Sequence, residues 1–140
     1  MYAGDVVDLH ANGTLYGNIG HGFIVWDSGV TSFAIAPAGS PWYGDIIDMH
    51  NDGTLYGNVG AFGNNGRGFT PWDFNVVSFA MAQVGSPWAG DIIDLHKDGT
   101  LYGNIGAFGN NGRGFARWDF NAVSFAMAQV GSPWAGDIID

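Results

Sequence analysis

The chain repeats itself every 46 residues, and no other feature limits its fold so tightly. Pro41–Ser86 and Pro87–Ser132 differ at seven positions only: Tyr43/Ala89, Met49/Leu95, Asn51/Lys97, Val59/Ile105, Thr70/Ala116, Pro71/Arg117 and Val76/Ala122. Met1–Ser40 is a more divergent copy, shorter by six residues because it lacks the AFGNNG of Ala61–Gly66 and Ala107–Gly112. The stretch PWAGDIID at Pro133–Asp140 repeats Pro87–Asp94, and it echoes both PWYGDIID at Pro41–Asp48 and MYAGDVVD at the start. The expected organisation is a single repeat domain over 1–140, with repeats 1–40, 41–86 and 87–132 and a partial fourth at 133–140. A fixed period of this length makes each copy one supersecondary unit that must bury its apolar face against its neighbours.

Each repeat reads as four strands. In Pro87–Ser132, DIIDLH alternates Ile93 and Leu95 against Asp94 and His96. Asp98-Gly99 turns the chain into TLYGNI. The Gly- and Asn-rich AFGNNGRG is a loop. GFARWDF is the third strand and SFAMAQV the fourth, and GSPWAG links to the next unit, where Pro133 bars a regular ladder. The charged residues agree with an all-β fold: thirteen Asp, no Glu, one Lys and three Arg leave few strong helix formers. The 24 Gly supply turn positions.

Four strands per 46 residues fits β-propeller blades, three per chain plus a partial one, with a β-trefoil as the alternative. A closed trefoil has no use for a fourth copy of one strand, whereas propellers commonly complete one blade from two chain ends. Three blades are too few to close a ring. The chain is therefore expected to associate with copies of itself, a dimer supplying six blades. An open fan would leave Phe79, Met81, Phe125 and Met127 without cover.

The stretch GSPWAGDIIDLHKDGTLYGN resembles the repeat of tachylectin-type propellers, in which a Gly-Gly-Trp start leads through an apolar strand into a Gly-x-Leu-Tyr hairpin. VSFAMAQVGSPW is similar to that family's approach to its Trp. The hairpin FGNNGRGF, with DGTLY, looks more like FG-GAP and related propeller repeats. The Trp follows Gly-Ser-Pro here, and no Asp-x-Asp-x-Asp-Gly calcium loop is present. The resemblance implies a lectin, with pockets for N-acetylated hexosamines between neighbouring blades and glycans as partners.

Three sets of residues suit that chemistry. Trp42, Trp88 and Trp134 follow the Pro of each GSPW stretch, and an indole face stacks on the apolar face of a sugar ring. Trp72 with Asp73 and Trp118 with Asp119 form a second set, the Asp bonding sugar hydroxyls; Trp26 and Asp27 match them. Asn64, Asn65, Arg67, Asn110, Asn111 and Arg113 decorate the long hairpin. Each set has a plain structural reading too. A Trp in register wedges blades together, and Asn and Gly supply turn geometry. Several identical grooves on one rigid ring would raise avidity by about 10²–10⁴. The runner-up function is a self-assembling structural repeat protein with no small ligand.

The pairs Asp8/His10, Asp48/His50 and Asp94/His96 share a strand face and would hold a metal only with a third group, so no metal or other cofactor is expected. No catalytic motif is present, and the repetition of Asp45/Asp48 and Asp91/Asp94 in every unit argues against a hydrolytic pair, so the chain is not expected to be an enzyme. A net charge of −9 disfavours nucleic acid. No apolar stretch is long enough to insert in a membrane. An extracellular location is the expectation for such a lectin, although no basic-then-apolar leader opens the chain.

Overall fold

The computed structural model describes residues 4–140, so the Met1–Ala3 part of the opening echo lies outside the described residues. Among the described residues the chain is all-β, with thirteen strands and no helix. The first sheet is β1 (Val6–Leu9), β2 (Leu15–Asn18) and β3 (Ile24–Asp27). The second runs β4 (Val30–Ile35), β5 (Ile46–His50), β6 (Leu55–Asn58), β7 (Thr70–Asp73). The third runs β8 (Val76–Met81), β9 (Ile92–His96), β10 (Leu101–Asn104), β11 (Ala116–Asp119), and a short pair, β12 (Ala126–Met127) with β13 (Ile138–Ile139), follows. Every ladder is antiparallel and joins strands consecutive in sequence.

Sequence repeat and sheet are out of phase. The SFAM strand of one repeat pairs with the DIID strand of the next, Phe79 opposite Asp94 and Met81 opposite Ile92. The GSPW stretch therefore turns the chain within a sheet, and only Phe74 and Asn75 separate the second sheet from the third. This corrects the expectation that GSPWAG joins successive units. Pro87 lies in the turn between β8 and β9, where its missing N–H costs no ladder bond.

The sheets stack face to face. Consecutive strand residues point to opposite faces, and β5 uses both: Ile46 joins a core with Trp26, Ala61 and Phe62, while Ile47 joins one with Trp72, Ile92 and Phe108. β9 does the same, Ile92 facing the second sheet and Ile93 packing with Leu95, Leu101 and the β12–β13 pair. Neither side of the second sheet is left to water, which explains two adjacent isoleucines at 0% exposure. The expectation that Phe79, Met81, Phe125 and Met127 lie uncovered is corrected. Met81 is buried, and the other three pack partly buried against the second and third cores. The large apolar side chains left outside include Ile105, Trp118, Phe120, Val123 and Trp134.

Candidate functional site

Trp26, Trp72 and Trp118 stand at bulges. The ladder steps from Leu55↔Asp73 to Tyr56↔Pro71, leaving Trp72 without a cross-strand partner, and the same step recurs at Trp26 and Trp118. A bulge re-aims a side chain, and here it lays the indole across the strand glycine: a Cβ on Gly57 would fall 2.1 Å from the Trp72 ring. The other face of that ring meets the hairpin loop of the following sheet, where a Cβ on Gly112 would also fall 2.1 Å away. Trp26 is held identically between Gly17 and Gly66. Phe62 and Phe108, from the same loops, meet Trp26 and Trp72 edge-on at ring separations of 5.4 and 5.2 Å. The loop read as a polar decoration is thus half plug, with Ala61 and Ala107 fully buried. Trp72 is core, and Trp118, over which no following loop packs among the described residues, is exposed.

The loop asparagines serve the same structure. Asn64 donates to the Asn58 carboxamide at 2.8 Å and accepts from the Arg67 N–H at 2.9 Å. Asn110 repeats both bonds toward Asn104 and Arg113. Asn65 and Asn111 take the left-handed backbone conformation, at φ 55° and 53°, and Asn65 also accepts from the Trp26 indole N–H at 3.2 Å. Arg67 and Arg113 extend from these loops into solvent.

The Asp of the Trp-Asp series ties one sheet to the next. Asp27, at the end of β3, lies 3.1 Å from His50 Nε2 on β5, and Asp73 lies 3.1 Å from His96. Between each pair sits a further carboxylate, Asp48 or Asp94, wholly buried, 3.5 or 3.4 Å from the same imidazole nitrogen. Neither oxygen of Asp48 or Asp94 finds a hydrogen-bond donor. Burial, and then the charge of the neighbouring Asp27 or Asp73, push these two carboxyls up to about 8; a proton shared between the paired carboxyls acts in the same sense. The imidazoles stack on Tyr56 and Tyr102 at 4.2 and 4.3 Å, fixing the ring planes. In the first sheet Asp8 and His10 also meet, at 3.0 Å, but both are half exposed. Asp119 is exposed and lies beside Asp140, whose carboxyl it raises.

Trp42 is the member of its series set against a loop. It is half-buried where the second and third sheets meet, its ring edge against Gly109 and its pyrrole side against Gly90, whose added Cβ atoms would each fall 2.7 Å away. Gly109 directly precedes Asn110 and Asn111, so two of the three candidate sets converge here. Trp88 keeps the glycine contact, with Gly136, and is exposed; Trp134 is exposed further. Beyond Trp88 a groove of about 400 Å³ opens, lined by Trp88, Asp91, Ile105, Trp118, Asp137 and Ile138. The equivalent space one sheet earlier holds Phe108 and Gly112 packed on Trp72.

Sequence reasoning missed the partnership of Asp27 with His50 and of Asp73 with His96. Their constant separation of 23 residues, half the period, is the signal it left unread. No family model matches the chain, and no curated protein matches it.

Proposed function

We propose that the sheets are blades of a β-propeller and that the groove between adjacent blades binds carbohydrate. One relation repeated at every step supports the propeller: Trp26 against Gly66 recurs as Trp72 against Gly112, and Asp27–His50 as Asp73–His96. Identical head-to-tail steps generate a ring when the rotation closes. A trefoil would fuse its units into one barrel, whereas these sheets pack as separate layers with a core in each gap.

The observation that carries sugar binding is Trp42, half-buried against the Gly109 loop with Arg113 extending from that loop. An indole held by glycines at its ring edge and pyrrole side and otherwise partly reachable offers the flat apolar surface a sugar ring stacks on, and an exposed guanidinium from the same loop supplies donors for hydroxyl or acetamido oxygens. Trp72, Asn64 and Asn110 have structural duties and are not part of this site. A glycan array probed with the whole chain, with free N-acetylhexosamine as competitor, tests the reading. Trp42→Ala should weaken the captured signal at least about tenfold, the worth of one buried aromatic face, while Trp134→Ala leaves it unchanged. A silent array removes the lectin.

A second reading has its own observation. Trp118 stays exposed on the third sheet beside Ile105 and Val123, whereas its counterpart one sheet earlier, Trp72, faces a packed interface. That apolar face fits another unit of the same repeat, which favours a structural, self-stacking role. Light scattering against concentration separates the readings: a mass that grows with concentration supports stacking between copies, and a constant monomer mass opposes it.

A further inference from the structure

We propose that each of the two interfaces between successive sheets holds a divalent cation of the zinc type, bound by Asp27, Asp48 and His50 at the first and by Asp73, Asp94 and His96 at the second. In each group the three ligand atoms lie within 4.8 Å of one another. The observation that takes this beyond a cluster of acids is Asp48. Its side chain is completely buried, both oxygens lack any donor, and it points at His50 and at a second carboxylate. Ionising a buried carboxyl that accepts no hydrogen bond costs several kcal/mol, because the charge is taken away from water. A cation placed among the three groups relieves this cost and the repulsion between the two carboxylates together.

The spacing agrees. Zinc bonds of about 2.0–2.1 Å to nitrogen and oxygen place tetrahedral ligand atoms about 3.3–3.4 Å apart. The imidazole nitrogen lies 3.1 and 3.5 Å from the two carboxylates at the first site, and 3.1 and 3.4 Å at the second. Two oxygens and one imidazole nitrogen suit zinc, cobalt or manganese. Calcium seeks six to eight oxygens and gains little here. Three protein ligands leave a fourth position for water, which can donate to the second Asp48 oxygen. Because Asp27 comes from one sheet and Asp48 and His50 from the next, the ion staples neighbours, and its chemical role is structural. The first sheet supplies an internal contrast, since Asp8 and His10 have no third ligand among the described residues and are half exposed.

Calorimetric titration of chelator-stripped chain with zinc chloride should give two ions per chain, and cobalt should develop the visible band of a tetrahedral site. Asp48→Asn should lower the count to one, and Asp48→Asn with Asp94→Asn to none, while His10→Ala with His21→Ala keeps both. Thermal unfolding midpoints should rise with zinc in the wild type, because an ion that binds only the folded chain stabilises it. A folded wild type that takes up no zinc overturns the proposal, as does a folded double Asn variant that still binds two. Asp27→Asn removes a less buried ligand, so the stoichiometry remains readable if Asp48→Asn fails to fold. Two ions that survive in the His10/His21 variant support the sites even then, and their loss there overturns them.

Discussion

Trp72 and Trp118 occupy the same position of nearly identical repeats, on the same bulge, lying across the same strand glycine. One is 7% exposed and the other 44%. Their own sheets treat them alike. What separates them is the hairpin loop of a following sheet, present over Trp72 as Phe108 and Gly112 and lacking over Trp118. Burial in this fold is conferred by the neighbour. A residue is core or surface according to what stacks beyond it, as expected where each unit contacts only the adjacent ones.

The largest test of that comparison is to remove each indole. Trp72→Ala should cost about 3–5 kcal/mol, the usual loss for a large buried aromatic, read from urea unfolding. Trp118→Ala should cost no more than about 1 kcal/mol, in the range of surface changes. Equal costs would mean that Trp118 is covered in solution. A Trp118→Ala cost that grows with protein concentration would identify another copy as the cover.

The glycine that touches the indole comes next. Gly112 has φ 74° and no room for a Cβ, so Gly112→Ala combines left-handed strain with overpacking, about 2–4 kcal/mol together. Gly106, in the same loop, has φ 67° and open space around it, and Gly106→Ala should cost only the strain, about 1–2 kcal/mol. The difference between the two measures the close approach of loop to indole, free of the backbone effect they share.

Much of this was legible in the letters. The period, the Asp-Gly hairpin and the strand stretches emerge from the chain with small shifts: DIIDLH was expected to form a strand, and Ile92–His96 does. The phase of the repeat was not legible, because a strand pattern marks which face is apolar and is silent on which neighbour pairs with its edge. The candidate site was half legible. Trp72 and Asp73 stood out by residue type, yet their partners Gly112 and His96 lie 40 and 23 residues away in the next sheet. The plug was hidden because AFGNNG is dominated by turn formers, and its two apolar residues acquire meaning only against a tryptophan from another repeat.

A smaller contrast sits in the same loops. Asn65 accepts the Trp26 indole N–H, whereas the buried Trp72 indole N–H has no acceptor although Asn111 holds the equivalent place. Glycine fits both left-handed positions, so Asn→Gly isolates the side chain. Asn65→Gly should cost about 0.5–1.5 kcal/mol, the net value of one such bond, and Asn111→Gly close to nothing. If both cost the same, Asn111 reaches the indole in solution and the two interfaces are equivalent.

The smallest effect is a pH slope at the carboxylates that brace each loop. Asp45 accepts from the Gly60 N–H at 2.7 Å and Asp91 from the Gly106 N–H at 2.8 Å. Burial raises both carboxyls and outweighs the N–H bond, which lowers them. The folded chain therefore holds these protons more tightly than the unfolded one. The stability they contribute is complete below the unfolded value near ~4 and is lost as pH rises through the raised native value. Asn keeps the acceptor for the Gly60 N–H and loses the proton, so Asp45→Asn should make the fall of the urea midpoint shallower between roughly pH 4 and the native pKa. Asp91 lines the open groove beside Trp118, where water is closer, and Asp91→Asn should change the slope less. A steeper slope in Asp45→Asn would reverse the balance: the loop N–H, rather than dehydration under the third sheet, would then set that carboxyl.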